Sequence, residues 1–480
     1  MSLTDLTACE VVALLKRREV APAELVEASA ARIAEVEPLV NALPILCVER
    51  ALEQAAGIAA DPARAQGPAD LHGLPISVKD LDEVAGVGHT FGGSVIFEGN
   101  IARSSCPMVE VLEGNGAIPI GKSNSPEFGF NASTINALFG PTRNPYDNSR
   151  TVGGSSGGAA ASVATGEVWL ATGSDLGSSI RLPAAFCSVV GLRPSPGRVP
   201  RAPAGMPFSP LPVLGPIART VADVALMFDA MVAEHWRDPL SLPASPGAFS
   251  AALAERRVPK RIGFSPDLGI TPVDPEIAAI TAAAAARFAE AGVAVEEACP
   301  DISDAIEIFH AIRGVNHLAA MTPLVEQYGE RVIPEIHYSV ERAAGLPIER
   351  YAWAERERAR QYFRVMAFFE RHDLLVCPTA IMPPFPAEWR RVEELNGHRF
   401  GSYIDWIAIT FSISLTGCPA ISVPCGFTAA GLPVGLQIVA PPRQEGRLLA
   451  AAQVFEDIVG ALGRKPVDPK GPATPDERSA

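Results

Sequence analysis

Residues 151–183 constrain this chain more than any other stretch, because two glycine- and serine-rich turns flank a segment suited to burial. The first turn is Gly153, Gly154, Ser155, Ser156, Gly157 and Gly158; the second covers residues 173–179. Between them, residues 159–164 are small enough for close packing, and residues 168–172 predict a short buried strand. Glycine permits positive φ and close backbone approach, so such turns can aim several N–H groups at one point. Serines among those glycines serve as nucleophiles, proton relays or plain turn formers. A single Gly/Ser turn is most often a linker. A pair bracketing a strand and followed by Ile180, Arg181, Leu182 and Pro183 is not linker-like.

Lysine is scarce. Only Lys16, Lys79, Lys122, Lys260, Lys465 and Lys470 occur, and arginine supplies the other 34 of the 40 positive charges. A lysine inside an apolar segment therefore needs a reason, since a buried lysine can lose its proton and arginine cannot. Lys79 is such a residue: Ile76, Ser77 and Val78 read as a brief strand that delivers it to the strand end. The net charge of −14, without a basic run, argues against nucleic acid or an anionic membrane surface as partner. Eight cysteines without C-x-x-C spacing point to free buried thiols in a reducing cytoplasm. With no apolar leader and no apolar run of 18 or more residues, neither a signal peptide nor a membrane span is expected.

Along the chain, helices are expected near residues 11–16, 22–37, 51–60, 107–113, 184–190 and 276–291, with an amphipathic one at 220–232. Residues 302–371 read as mostly helical, and 448–458 as a closing helix. Strands are expected within 116–124, 260–266, 293–298, 373–378, 407–415, 421–424 and 434–439. The strand–helix–strand order over 260–298 predicts parallel pairing with a crossover helix. Residues 61–70 read as an exposed loop, 235–251 as a loop or insertion, and 465–480 as a disordered tail rich in proline and charge. No internal repeat and no clean domain linker is found.

Two motifs offer other chemistries. Residues 116–123 match a phosphate-loop pattern ending in Gly121, Lys122 and Ser123, but the middle of the match is itself strand-like, which leaves Lys122 a structural role. Gly153, Ser155 and Gly157 match the nucleophile elbow of α/β-hydrolases, yet no histidine sits in an evident strand-end loop, His372 beside Asp373 coming nearest. His310 and His317, seven residues apart, have no carboxylate at ligand spacing, so no metal is expected.

The serine- and glycine-rich signature, together with residues 73–80, 121–128, 191–194, 377–378 and 419–424, resembles the amidase signature family over most of the chain; residues 235–370 match least. The resemblance implies an α/β fold: a single large domain over residues 1–464, with a mixed, twisted β-sheet flanked by helices on both faces. It implies a Ser-cisSer-Lys triad on Ser179, Ser155 and Lys79, with a cis Gly154–Ser155 bond. Ser179 would attack the carbonyl, Ser155 relay the proton, and neutral Lys79 act as base. The N–H groups of Leu176, Gly177, Ser178 and Ser179 would form the oxyanion hole. Ser178 departs from the family's usual glycine. Gly129 matches a substrate-facing backbone position, while Asp175 and Arg181 shape the turn. The implied activity is hydrolysis of a carboxylic amide, extending to ester, anilide or carbamate, through a serine acyl-enzyme, without cofactor. A glutaminase subunit of a tRNA-dependent amidotransferase and a non-catalytic protein of this fold are the alternatives. The expected partner is a small-molecule amide in the cytoplasm, with a homodimer allowed. Pocket walls are expected from residues 128–134 and 302–345, whose apolar and aromatic content suits a hydrophobic acyl or amine part.

Overall fold

Leu74, Ile76, Ser77, Val78 and Lys79 are wholly buried, and this unbroken run forms a strand inside a sheet covered on both faces. The structure, a computed structural model, describes residues 2–61, 67–201, 206–245, 247–460 and 462–471. Its main sheet has eleven strands: β1 (Ile45–Leu46), β2 (Pro75–Lys79), β3 (Ile118–Ser123), β4 (Leu170–Asp175), β5 (Val190–Arg193), β6 (Val213–Ala218), β7 (Arg261–Phe264), β8 (Ala294–Glu297), β9 (Leu374–Pro378), β10 (Ala420–Phe427) and β11 (Pro433–Val439). Their order across the sheet is β1-β3-β2-β4-β6-β5-β10-β11-β9-β7-β8. The sheet is mixed: β3, β2 and β4 run parallel, as do β9, β7 and β8, and antiparallel pairs join the two groups.

Side-chain alternation shows that helices cover both faces. Along β9, Leu374 and Val376 join a core with Phe228, Leu448 and Phe455, from helices Val221–Met231 and Glu445–Val459. Leu375 and Cys377 point the other way, into a core with Phe309, Ile312, Val365 and Phe368, from helices Ala305–Tyr328 and Ile348–Phe369. The helix Gly157–Ala164 lies between the two Gly/Ser turns and is buried all round. A Cβ on Gly158 would come 2.4 Å from the Asn124 nitrogen and 2.5 Å from the Ala42 carbonyl oxygen, so only glycine lets this helix sit so deep. All eight cysteines are free. Cys187, Cys377 and Cys418 are buried, Cys299 is exposed and the other four are half-buried; burial pushes the thiols of Cys377 and Cys418 up to about 12.

Several expectations change. Residues 407–415 read as a strand, but Ala408–Ser414 is a helix with every residue buried. A short apolar run rich in β-branched residues cannot be told from a buried helix by periodicity. The helix Val221–Met231 is buried on nearly every side, Asp223 and Asp229 included, rather than amphipathic. The helix expected at 184–190 is Arg181–Phe186, and Val190 opens β5. The end of the loop expected at 235–251 is helical, as Ala248–Ala254 forms a helical segment. Of the stretch 465–480, residues up to 471 are described: Val467 N–H donates to the Ala164 carbonyl and Lys470 N–H to that of Pro145. Residues 472–480, and 62–66 of the loop at 61–70, lie outside the described residues.

Candidate active site

Parallel strands β2 and β4 end side by side, and their carboxyl ends carry the polar groups that an apolar sheet interior would otherwise exclude. Lys79 closes β2; its N–H donates to Thr172 Oγ1 of β4 at 3.0 Å. Its ammonium nitrogen lies 2.7 Å from Ser155 Oγ, 2.9 Å from Ser156 Oγ and 2.9 Å from Ser174 Oγ. Three hydroxyls therefore surround one buried amine. Burial lowers the Lys79 pKa from 10.5 to about 7, with Asp82 and Asp175 pulling the other way. The amine is thus partly neutral near pH 7, and a neutral amine can accept a proton from a serine hydroxyl.

Ser155 sits in the first Gly/Ser turn, where the Gly154–Ser155 peptide bond is cis. The second turn follows β4 and is pinned by Asp175. That carboxylate accepts from Ile180 N–H at 3.1 Å and from Arg181 Nε and Nη2 at 3.0 and 2.9 Å. Burial alone would raise the Asp175 pKa, but Arg181 and Arg193 overcome it and hold the group near about 2. Arg181 also donates to the Gly177 carbonyl, Ser414 Oγ and Gln437 Oε1, tying the turn to the opposite part of the sheet. Among the described residues, the N–H groups of Leu176, Gly177, Ser178 and Ser179 have no acceptor. Four unspent donors in one rigid turn suit a developing oxyanion.

The two turns meet through the backbone: Ser156 N–H donates to the Ser179 carbonyl at 3.0 Å. Ser179 is half-buried, and its hydroxyl has no hydrogen-bond partner among the described residues. Lys79 and Ser155 are thus joined directly, whereas the Ser155 and Ser179 hydroxyls are not hydrogen-bonded to each other. Ser178 is buried, with its hydroxyl unpartnered. Gly129 has φ +74°, and a Cβ there would lie 3.4 Å from Ser155 Oγ and 3.0 Å from Leu81 Cδ1. The wall over Gly177 is apolar: a Cβ at that position would meet Phe411 at 3.2 Å, Phe309 at 3.3 Å and Ile407 at 3.9 Å. The rings of Phe309 and Phe411 stack at 4.1 Å.

Sequence reasoning missed Ser156, Ser174 and Asp82 as partners of Lys79. Ser156 and Ser174 lie inside the turns singled out above, but only the pairing of β2 with β4 tells that they converge. Lys122 is consumed by an ion pair with Asp80 at 3.1 Å and a contact with His89 at 3.4 Å, away from any phosphate-loop geometry. His372 stacks on Phe368 and pairs with Glu296, while Asp373 caps the start of β7. His310 pairs with Asp405 at 2.6 Å, and the His317 ring packs against Phe130 at a tilt of 37°. Neither Ser155 nor Ser179 is hydrogen-bonded to a histidine among the described residues.

A family model described as Amidase matches residues 24–449. An acylamidase of Rhodococcus erythropolis is 35% identical, covering 96% of this chain and 97% of the relative. A component of the glutamyl-tRNA(Gln) amidotransferase of Moorella thermoacetica is 34% identical, covering 97% and 99%. Among solved structures, a bacterial aryl acylamidase of the amidase signature enzymes superposes with a TM-score of 0.88 at 30% identity, covering 95% of this chain and 96% of that one.

Proposed function

The chain belongs to the amidase signature family, and from that premise we propose that it is a stand-alone hydrolase of small carboxylic amides acting through a Ser179 acyl-enzyme. Cleavage of a C–N amide bond is the reaction of this chain. The observation that carries the finer reading is the 2.7 Å contact between a wholly buried Lys79 amine and Ser155 Oγ.

In the mechanism we infer, neutral Lys79 accepts a proton from Ser155, which takes one from Ser179 as Ser179 Oγ adds to the carbonyl carbon. Substrate binding or a rotation of the Ser179 side chain closes the Ser155–Ser179 link. The carbonyl oxygen becomes an oxyanion facing the N–H groups of residues 176–179, where each donor contributes about 3 kcal/mol. Return of the proton through Ser155 to the leaving nitrogen expels ammonia or an amine and leaves the acyl group on Ser179. Water then attacks by the same route in reverse and releases the acid. Ser156 and Ser174 hold the lysine in place through both halves.

The test is turnover by the purified single chain on a panel of amides, anilides, carbamates and esters, with and without chelator. Hydrolysis of amides by the single chain, unchanged by chelator, is expected. Glutaminase activity only in the presence of a partner chain would favour the amidotransferase reading instead.

A further inference from the structure

Two cavities, of about 370 and 430 Å³, meet at Tyr338, Gly401 and Tyr403. Their walls hold six arginines against four carboxylates, in a protein whose net charge is −14. Arg350, Arg390 and Arg391 are paired with Glu307, Glu335 and Glu393, and Asp405 is taken up by His310 and Ser402. Arg313 and Arg399 form no ion pair among the described residues, and Arg342 acts on Asp405 only at longer range.

Arg313 is the telling one. It is 9% exposed, and its guanidinium carbon lies 5.6 Å from the Phe130 ring centre and 5.5 Å from that of Tyr403. Among the described residues its side chain makes one hydrogen bond, from Nη2 to the Tyr403 hydroxyl at 2.5 Å. The rest of the guanidinium faces the cavity, where a bound anion would find it without a competing carboxylate. Asn131, 5% exposed, lines the adjoining cavity with its amide Nδ2 unpartnered. Asn131 follows Gly129, which abuts Ser155, by two residues, a span of at most about 7 Å. The unpartnered Asn131 amide thus lies two residues from the Gly129 that abuts Ser155, and Arg313 lies over the intervening Phe130.

On the amide-hydrolase reading, we infer that these cavities form a carboxylate subsite, so that preferred substrates are amides carrying an anionic group remote from the scissile bond. The planar fork of Arg313 suits a carboxylate bidentately, and the buried, unpartnered Asn131 Nδ2 becomes a neutral donor if its side chain turns toward the cavity. The apolar wall takes the carbon skeleton between the anion and the amide.

Matched substrate pairs test this: 4-acetamidobenzoate against acetanilide for an anion on the amine side, and the mono-4-nitroanilide of glutaric acid against that of valeric acid for the acyl side. At least one carboxylated member should exceed its neutral partner about tenfold in kcat/KM, chiefly through KM, as one charge-assisted contact implies. Arg313→Met should lower the carboxylated substrate about tenfold more than its partner, Arg313→Lys should keep part of the preference, and Arg342→Gln should weaken it independently. No preference in either pair, or an equal loss for both members in Arg313→Met, overturns the subsite. Absence of turnover on all four substrates counts against the amide-hydrolase reading instead. In that event calorimetry on the unmodified protein decides the subsite: 4-phenylbutyrate should bind about tenfold tighter than 4-phenylbutan-1-ol, and equal binding overturns it.

Discussion

Replacing Lys79 with methionine should abolish turnover while leaving the fold, below about pH 7, as stable as before or more so. Burial lowers the lysine from 10.5 to about 7, a shift that corresponds to a cost on the order of 5 kcal/mol for holding the charged form. Methionine has similar length and no charge, so that cost disappears. Against it stand the hydrogen bonds to Ser155, Ser156 and Ser174, each worth about 1 kcal/mol net. Ser156 keeps its contacts with the Ser174 carbonyl and amide at 3.3 Å, which limits the loss. Below about pH 7 the balance lies between zero and a gain of a few kcal/mol. Its pH dependence has a definite sign. Between about 7 and 10.5 the unfolded chain holds a proton that the native lysine does not, so wild-type stability rises with pH through that window. The methionine variant's advantage should be largest below pH 7 and shrink toward pH 10. Urea unfolding of both proteins at several pH values, beside their kcat/KM, measures this. A variant several kcal/mol less stable at pH 6, with no trend in pH, would refute the reasoning and make Lys79 a structural residue.

Three other outcomes follow from the same geometry. Since Asp82 favours the charged form of Lys79, Asp82→Asn should move the acid limb of the kcat/KM profile to lower pH; a limb that stays in place or moves up counts against the coupling. Gly129→Ala should cost about 1 kcal/mol at positive φ and cut activity by crowding Ser155, read by thermal melts and turnover; full activity would detach this loop from the site. Arg181→Met leaves Asp175 buried with Arg193 as its remaining cation and should cost about 3 kcal/mol in chemical unfolding, with turnover lost as the 176–179 turn loosens; a neutral result would show that the turn holds without this pair.

Much of the site was legible because its chemistry is local. The strand that delivers Lys79 is a short, wholly buried run, Pro75–Lys79, and the two Gly/Ser turns announce themselves by composition. The convergence of Ser156 and Ser174 on Lys79 was not legible, since it depends on the pairing of β2 with β4 across 93 residues of chain. The helix Ala408–Ser414 was misread because residues such as Ile409, Thr410 and Ile413 favour strands in isolation, and only packing beside Phe309 decides otherwise. The arginine-lined cavities draw on residues from 131 to 405, none of which stands out alone in a chain with 34 arginines.

The central claim is that Ser179 carries the acyl group while Ser155 and Lys79 move the proton. A serine-directed fluorophosphonate, applied to the active protein and followed by peptide mapping, tests it most directly. The modification should fall on Ser179, disappear in Ser179→Ala, and slow markedly in Lys79→Arg, which keeps the charge but cannot accept a proton. Labelling of Ser155, or labelling that persists in Ser179→Ala, would contradict the account.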